Sequence, residues 1–157
     1  MARLGLAPGS LLLPVVLVAC GDKVAAPAAE GVIVSTNHQE YAVSSPPEAA
    51  FITVENRSHE AVTVRRCLIQ GSAVDPIGVD LLVEQEAGGT WRAIDLGFDC
   101  QTAAAPRSDA VLAPMEVALV GRLVLVVPGR FRARVAYARG AVVTPADTAT
   151  SATFVVR

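Results

Sequence analysis

What most narrows the fold open to this chain is its punctuation. Beyond residue 30 the apolar stretches are short, most alternate with polar residues, and each stops at a proline, a glycine or a group of small polar residues. Alternation with a period of two is the mark of a half-buried strand, whereas an amphipathic helix needs a period near 3.6 sustained over roughly ten residues or more. Ala50-Phe51-Ile52-Thr53-Val54-Glu55 places Ile52 and Val54 on one face and Thr53 and Glu55 on the other. After the polar Asn56-Arg57-Ser58-His59-Glu60, residues 61–67 alternate again, and the two runs are expected to form an antiparallel hairpin. Residues 79–85 and Trp91-Arg92-Ala93-Ile94, turned by Gly88-Gly89, are expected as a second hairpin. Val32-Ile33-Val34, Tyr41-Ala42-Val43, Val111-Leu112-Ala113, Val117-Ala118-Leu119, the apolar run 123–127 and Thr153-Phe154-Val155-Val156 supply the other strand candidates. In residues 131–137, Phe131, Ala133, Val135 and Tyr137 share one face, expected inward, while Arg132 and Arg134 take the other. The one hint of a helix, around Met115, is too short and is bounded by Pro114. About seven to nine strands with frequent turns predict an all-β antiparallel sandwich, and a closed barrel stays open as the alternative.

The beginning of the chain follows a different rule. Arg3 is followed by an apolar stretch reaching Leu17-Val18-Ala19, the order of a secretory signal. Pro8, Gly9, Ser10 and Pro14 interrupt it, and Asp22 and Lys23 end it, so it is too broken for a span that needs about 20 apolar residues. Leu17-Val18-Ala19-Cys20 closely resembles the lipobox of bacterial lipoproteins, in which an aliphatic residue and two smaller ones precede a cysteine. The resemblance implies a signal peptide at 1–19, cleavage after Ala19, and diacylglyceryl transfer to the Cys20 thiol. It also implies a membrane lipid as the first partner, through Cys20. Two or three acyl chains give lasting attachment where one gives only marginal binding. Residues 20–30 then form the lipidated cysteine and a low-complexity linker, and residues 31–157 a single domain of ordinary size. Gly21, rather than Asp, after the lipidated cysteine favours the periplasmic face of the outer membrane if the cell has two membranes.

Setting Cys20 aside leaves Cys67 and Cys100, an even pair in an exported domain, for which a disulfide is the default expectation. A metal site or a redox pair would call for a CxxC spacing or clustered histidines, neither of which is present. The chain has 13 basic against 15 acidic residues, and Arg3 lies in the signal, so the mild acidity offers no electrostatic footprint for nucleic acid.

Within the domain, Phe51-Ile52-Thr53-Val54-Glu55-Asn56-Arg57-Ser58 with Val62-Thr63-Val64 resembles the opening hairpin of bacterial immunoglobulin-like domains. Residues 82–91 resemble their second hairpin, and Pro128-Gly129-Arg130-Phe131 with the strand that follows resembles their late turn and strand. The likeness covers about residues 50–137. Trp91 stands near the second cysteine rather than after the first, so the Cys67 to Cys100 pair is not the antibody bridge. The resemblance, which extends to intracellular proteinase inhibitors of the bacilli, implies a fold more than an activity.

No pattern of catalysis stands out. His38 and His59 lie in polar, turn-like surroundings and read as solvated groups, and Ser44, Ser45 and Ser72 lack the flanking glycines of a nucleophile elbow. A copper carrier would need more methionine and histidine than Met115 and two histidines. Neither catalytic residues, metal nor cofactor is therefore expected. Arg65-Arg66 and Arg130, Arg132 and Arg134 read as charges on a wet sheet face that also protect an edge, and Trp91 as a cap on the core. The expected function is non-enzymatic: an envelope domain that binds another envelope protein or serves an accessory role. A protease-inhibitor-like module is the alternative, with residues 71–78 or 101–109 as its candidate loops, and an enzyme is the distant third.

Overall fold

The computed structural model describes residues 30–68, 76–96, 100, 108–140 and 144–157. The described residues form strands and no helix: β1 (Val32–Thr36), β2 (Glu40–Tyr41), β3 (Ala49–Asn56), β4 (Val62–Val64), β5 (Arg66–Leu68), β6 (Pro76–Gly78), β7 (Leu81–Ala87), β8 (Thr90–Ala93), β9 (Ala110–Leu112), β10 (Val117–Val124), β11 (Gly129–Arg139), β12 (Asp147–Thr150) and β13 (Phe154–Val156). These thirteen strands exceed the seven to nine expected. Several expected runs are subdivided: residues 61–67 break between β4 and β5, and the closing edge is shared by β12 and β13. β6 and β12 have no alternating apolar signature and were not expected.

A small sheet in the order β1-β3-β10 faces a large one built around β11, and a short β5-β6 ribbon forms a third sheet whose β6 packs beside β10. β11 is the central strand because it is long enough for two partners along each side. On one side it pairs β13 and then β12; on the other it pairs β7 and then β4. Its alternation is as expected: Phe131, Ala133, Val135 and Tyr137 are buried, while Arg132 and Arg134 between them lie on the other face. The gap between β12 and β13 is closed by Ser151. Its backbone N–H donates to Ala133 O at 2.8 Å, and its Oγ accepts from Ala133 N at 2.9 Å, so a side chain replaces the missing ladder acceptor.

The hairpin expected of residues 50–55 and 61–67 does not form. β3 pairs β1 and β10 in the small sheet, whereas β4 pairs β11 and β9 in the large one. The connection crosses between layers because Asn56, fully buried, ties it there. Asn56 Nδ2 donates to Leu112 O (2.9 Å) and Glu60 O (2.8 Å), and its Oδ1 accepts from Ser58 N and Ser58 Oγ. A buried amide with every polar atom partnered specifies this crossing without the cost of an unmet donor. The second expected hairpin, β7-β8, is present, with Ala87 opposite Thr90 and both Gly88 (φ 59°) and Gly89 (φ 78°) in the left-handed region that a two-residue type I′ turn demands.

The core lies between the layers. Ile52 and Val54 of β3, Val120 and Leu123 of β10, Val83 of β7 and Phe131 and Val135 of β11 are all essentially inaccessible. Phe154 stacks on Phe131 at 5.8 Å and meets Tyr41 edge-on at 5.7 Å. A bulge between Leu119 and Gly121 shifts the register of β10 against β3. Its consequence is chemical: Ala118 and Val120 point inward before it and Leu123 after it, so Arg122 stays outside.

Candidate functional site

Two ends of the sandwich and one outer face hold the features that bear on function. At the end where β10 stops, the apolar run 123–127 outlasts the strand. Leu123 is buried and Leu125 packs against the core, but Val124, Val126 and Val127 are exposed at 48%, 60% and 58%. The expectation of a strand over 123–127 holds only for Leu123 and Val124, because the partner strand β3 begins at Ala49, opposite Val124, and offers no ladder to the residues beyond. These residues wall a groove of about 300 Å³, closed by Ile94, Asp95 and Leu96 beyond β8 and by Gln85 and Phe131. Beside it Gly129 lies against the Gln85 amide, which a Cβ at that position, 2.6 Å from Gln85 Nε2, would displace. Among the described lining residues only Asp95 has an ionisable side chain and the rest of the wall is mostly apolar, the chemistry of a binding cleft.

The opposite end gathers Glu30 and Gly31, the β3–β4 connection and the β9–β10 turn. Arg57 N donates to Gly31 O at 2.7 Å, and Met115 N donates to Asn56 O at 2.6 Å, so consecutive residues hold the domain's first residues and the tip of the turn. The turn runs Ala113-Pro114-Met115-Glu116: Glu116 N donates to Ala113 O (3.1 Å), and Glu116 Oε2 accepts from Ala113 N (2.8 Å). Met115 occupies the position of a type II turn that requires positive φ, which it meets at 70°, where glycine is the usual occupant. A neighbouring polar recess of about 330 Å³ is lined by Glu30, Gly31, Ser58, His59, Glu60 and Arg139. His59 Nε2 lies 3.7 Å from Glu30 Oε1 with both side chains in solvent, and His38 Nε2 lies 3.6 Å from Glu48 Oε1 in a similar setting, as expected of surface histidines.

The outer face of the large sheet corrects two expectations. Arg132 and Arg134 are not simply solvated: Arg132 Nε donates to Glu84 Oε2 at 2.5 Å and Arg134 Nη1 to Glu84 Oε1 at 3.3 Å, across the β7–β11 register. The Arg132 hydrogen bond, with help from Arg134 and against the opposing effect of burial, holds the Glu84 carboxyl below its ordinary range. Trp91 does not cap the core. It lies on this outer face, with the Arg132 guanidinium 4.5 Å from its ring centroid. Arg130 Nη1 stands 2.8 Å from Glu86 Oε2 without the alignment of a hydrogen bond. Arg65 and Arg66 are likewise partnered rather than simply solvated. Arg65 grips Asp80 with two donors, Nε to Oδ2 at 2.7 Å among them, and Arg66 donates to Ser108 O and Leu119 O.

Cys67 on β5 is buried and stands at disulfide distance from Cys100, with 5.9 Å between their α carbons. Cys20, the expected signal at 1–19 and nearly all of the expected linker at 20–30 lie outside the described residues. So does most of each candidate inhibitor loop: of 71–78 only β6 is described, and of 101–109 only Ser108 and Asp109. The groove was missed in the sequence because an unbroken valine-rich run reads as a buried strand. The available signal was its continuation, unalternated, into Pro128-Gly129. Compared with family models, curated proteins and solved structures, the chain matches none.

Proposed function

We propose that this protein is a lipid-anchored domain of the bacterial cell envelope, in which an immunoglobulin-like β-sandwich held through Cys20 serves a non-enzymatic binding role. The observation that carries the anchor is Leu17-Val18-Ala19-Cys20 at the end of a signal-like stretch. The Cys67–Cys100 pair at bonding distance supports an oxidising compartment outside the cytoplasm. Gly21 favours the periplasmic face of the outer membrane in a cell with two membranes. The partner is another envelope protein, and the apolar groove walled by Val124, Val126 and Val127 is where it would seat an apolar segment. The protease-inhibitor reading would instead place the contact on a loop within 71–78 or 101–109.

Metabolic labelling with a fatty acid analogue tests the anchor. Wild-type protein should carry the label and Cys20→Ser should not; equal label on both would sink the lipoprotein reading. Capture of envelope proteins by wild-type and Val126→Glu chains tests the groove. Val126 is exposed, so the variant should fold normally yet lose the captured protein, and an identical capture would remove the groove from consideration.

A further inference from the structure

The end of the domain nearest its tether is built to touch something apolar. Gly31 and Met115 are each one hydrogen bond from the adjacent residues Arg57 and Asn56, so the tether and the β9–β10 turn share one pole. Cys20 precedes Gly31 by ten intervening residues. At roughly 3.3 to 3.6 Å per residue step these can reach at most about 40 Å, so the pole cannot stray far from the acylated residue. On that pole Met115 is 69% exposed, and Val111 and Val117, at the feet of the same turn, are 58% and 59% exposed. Their backbone is not free: both the N–H and the C=O of buried Asn56 grip the turn, and Glu116 caps it. A methionine held at positive φ, where glycine would sit without strain, is an outlier that needs a reason in what its side chain does.

We infer that the Val111, Met115 and Val117 tip docks on the lipid surface to which Cys20 is anchored, which orients the sandwich with its groove facing away from the membrane. The inference rests on the anchor proposed above. Glu30 and Glu60 border this pole beside His59 and Arg139, the latter paired with Asp147, so there is no basic cluster to attract anionic headgroups and the contact is apolar insertion. A short tether makes the contact intramolecular, with an effective concentration on the order of millimolar, so a weak insertion suffices to hold the domain down. β10 runs from the tip to the groove, and its seven residue steps of about 3.3 Å set the two roughly 23 Å apart. The docked pose therefore keeps the groove in the aqueous space.

Met115 reports on its own contact, because the only other methionine is Met1. The experiment exposes lipidated full chain on phosphatidylcholine vesicles to periodate, an impermeant oxidant, and follows sulfoxide on the tryptic peptide of residues 108–122 by mass spectrometry. The Cys20→Ser chain, with and without the same vesicles, is the reference. If about four-fifths of the tethered molecules are docked, Met115 should oxidise roughly five-fold more slowly than in the reference. Val117→Asp on the lipidated chain should restore the reference rate. Flotation with the vesicles separates the two ideas. A chain that floats but oxidises at the reference rate overturns the docking and leaves the anchor standing, whereas a chain that does not float overturns the anchor and the docking with it. Oxidation of Cys20→Ser without vesicles that slows as protein concentration rises would mean that the tip meets a second copy, and would also overturn the inference.

Discussion

At the scale of single residues, the face a side chain takes on β11 decides what its loss costs. Val135 is inaccessible and Arg134 is 40% exposed on its side chain, although they are neighbours in sequence. Val135→Asp puts a carboxylate where no partner exists, costing several kcal/mol against a total stability of about 5 to 15, and should leave the domain unfolded at ambient temperature. Arg134→Ala removes only the weaker of two contacts to Glu84 and should change stability by about 0.5 kcal/mol. Thermal melts of the two variants check the register, and a larger loss in Arg134→Ala would reverse the assignment of faces. The Glu84 cluster also has a pH signature. A carboxyl held below its ordinary value stabilises the fold at neutral pH, and that contribution is lost as pH falls through the lowered value.

At the scale of elements, the strands depend on side chains wherever the backbone ladder lapses. Ser151 is the clearest case, since its Oγ meets the Ala133 N–H in the interval between β12 and β13. Ser151→Ala strands that buried donor and should cost about 1 to 3 kcal/mol, with hydrogen exchange at Ala133 accelerating more than at its neighbours. Uniform exchange along β11 would show that the hydroxyl is dispensable. The bulge in β10 is a similar local device. It resets the alternation so that Leu123 enters the core and Arg122 does not, which no strict period of two in the sequence would have produced.

At the scale of the molecule, Cys67 and Cys100 join β5 to a point 33 residues later, a loop whose closure is worth up to about 4 kcal/mol by the entropy removed from the unfolded chain. The double variant Cys67→Ala, Cys100→Ala should therefore lower the midpoint of chemical denaturation without abolishing the fold, because the core between the sheets does not include the bond; an unchanged midpoint would show that the pair is reduced in solution. The all-β class, the alternating faces of β3 and β11, the Gly88-Gly89 hairpin and the pairing of Cys67 with Cys100 were legible in the sequence, because each is fixed by period, by turn chemistry or by cysteine count. The sandwich's pairings were not. That residues 50–55 and 61–67 part company into different sheets depends on what Asn56 meets, namely Leu112 from 56 residues away, and no local pattern encodes a partner at that distance. The same holds for Trp91, whose place on the outer face is set by Arg132 across the β7–β11 register rather than by its own neighbours. Local residue order determined most of the segments that become strands and the turns that separate them. Only tertiary packing decided which strands meet, because the free energy of pairing lies in contacts between residues far apart in the chain.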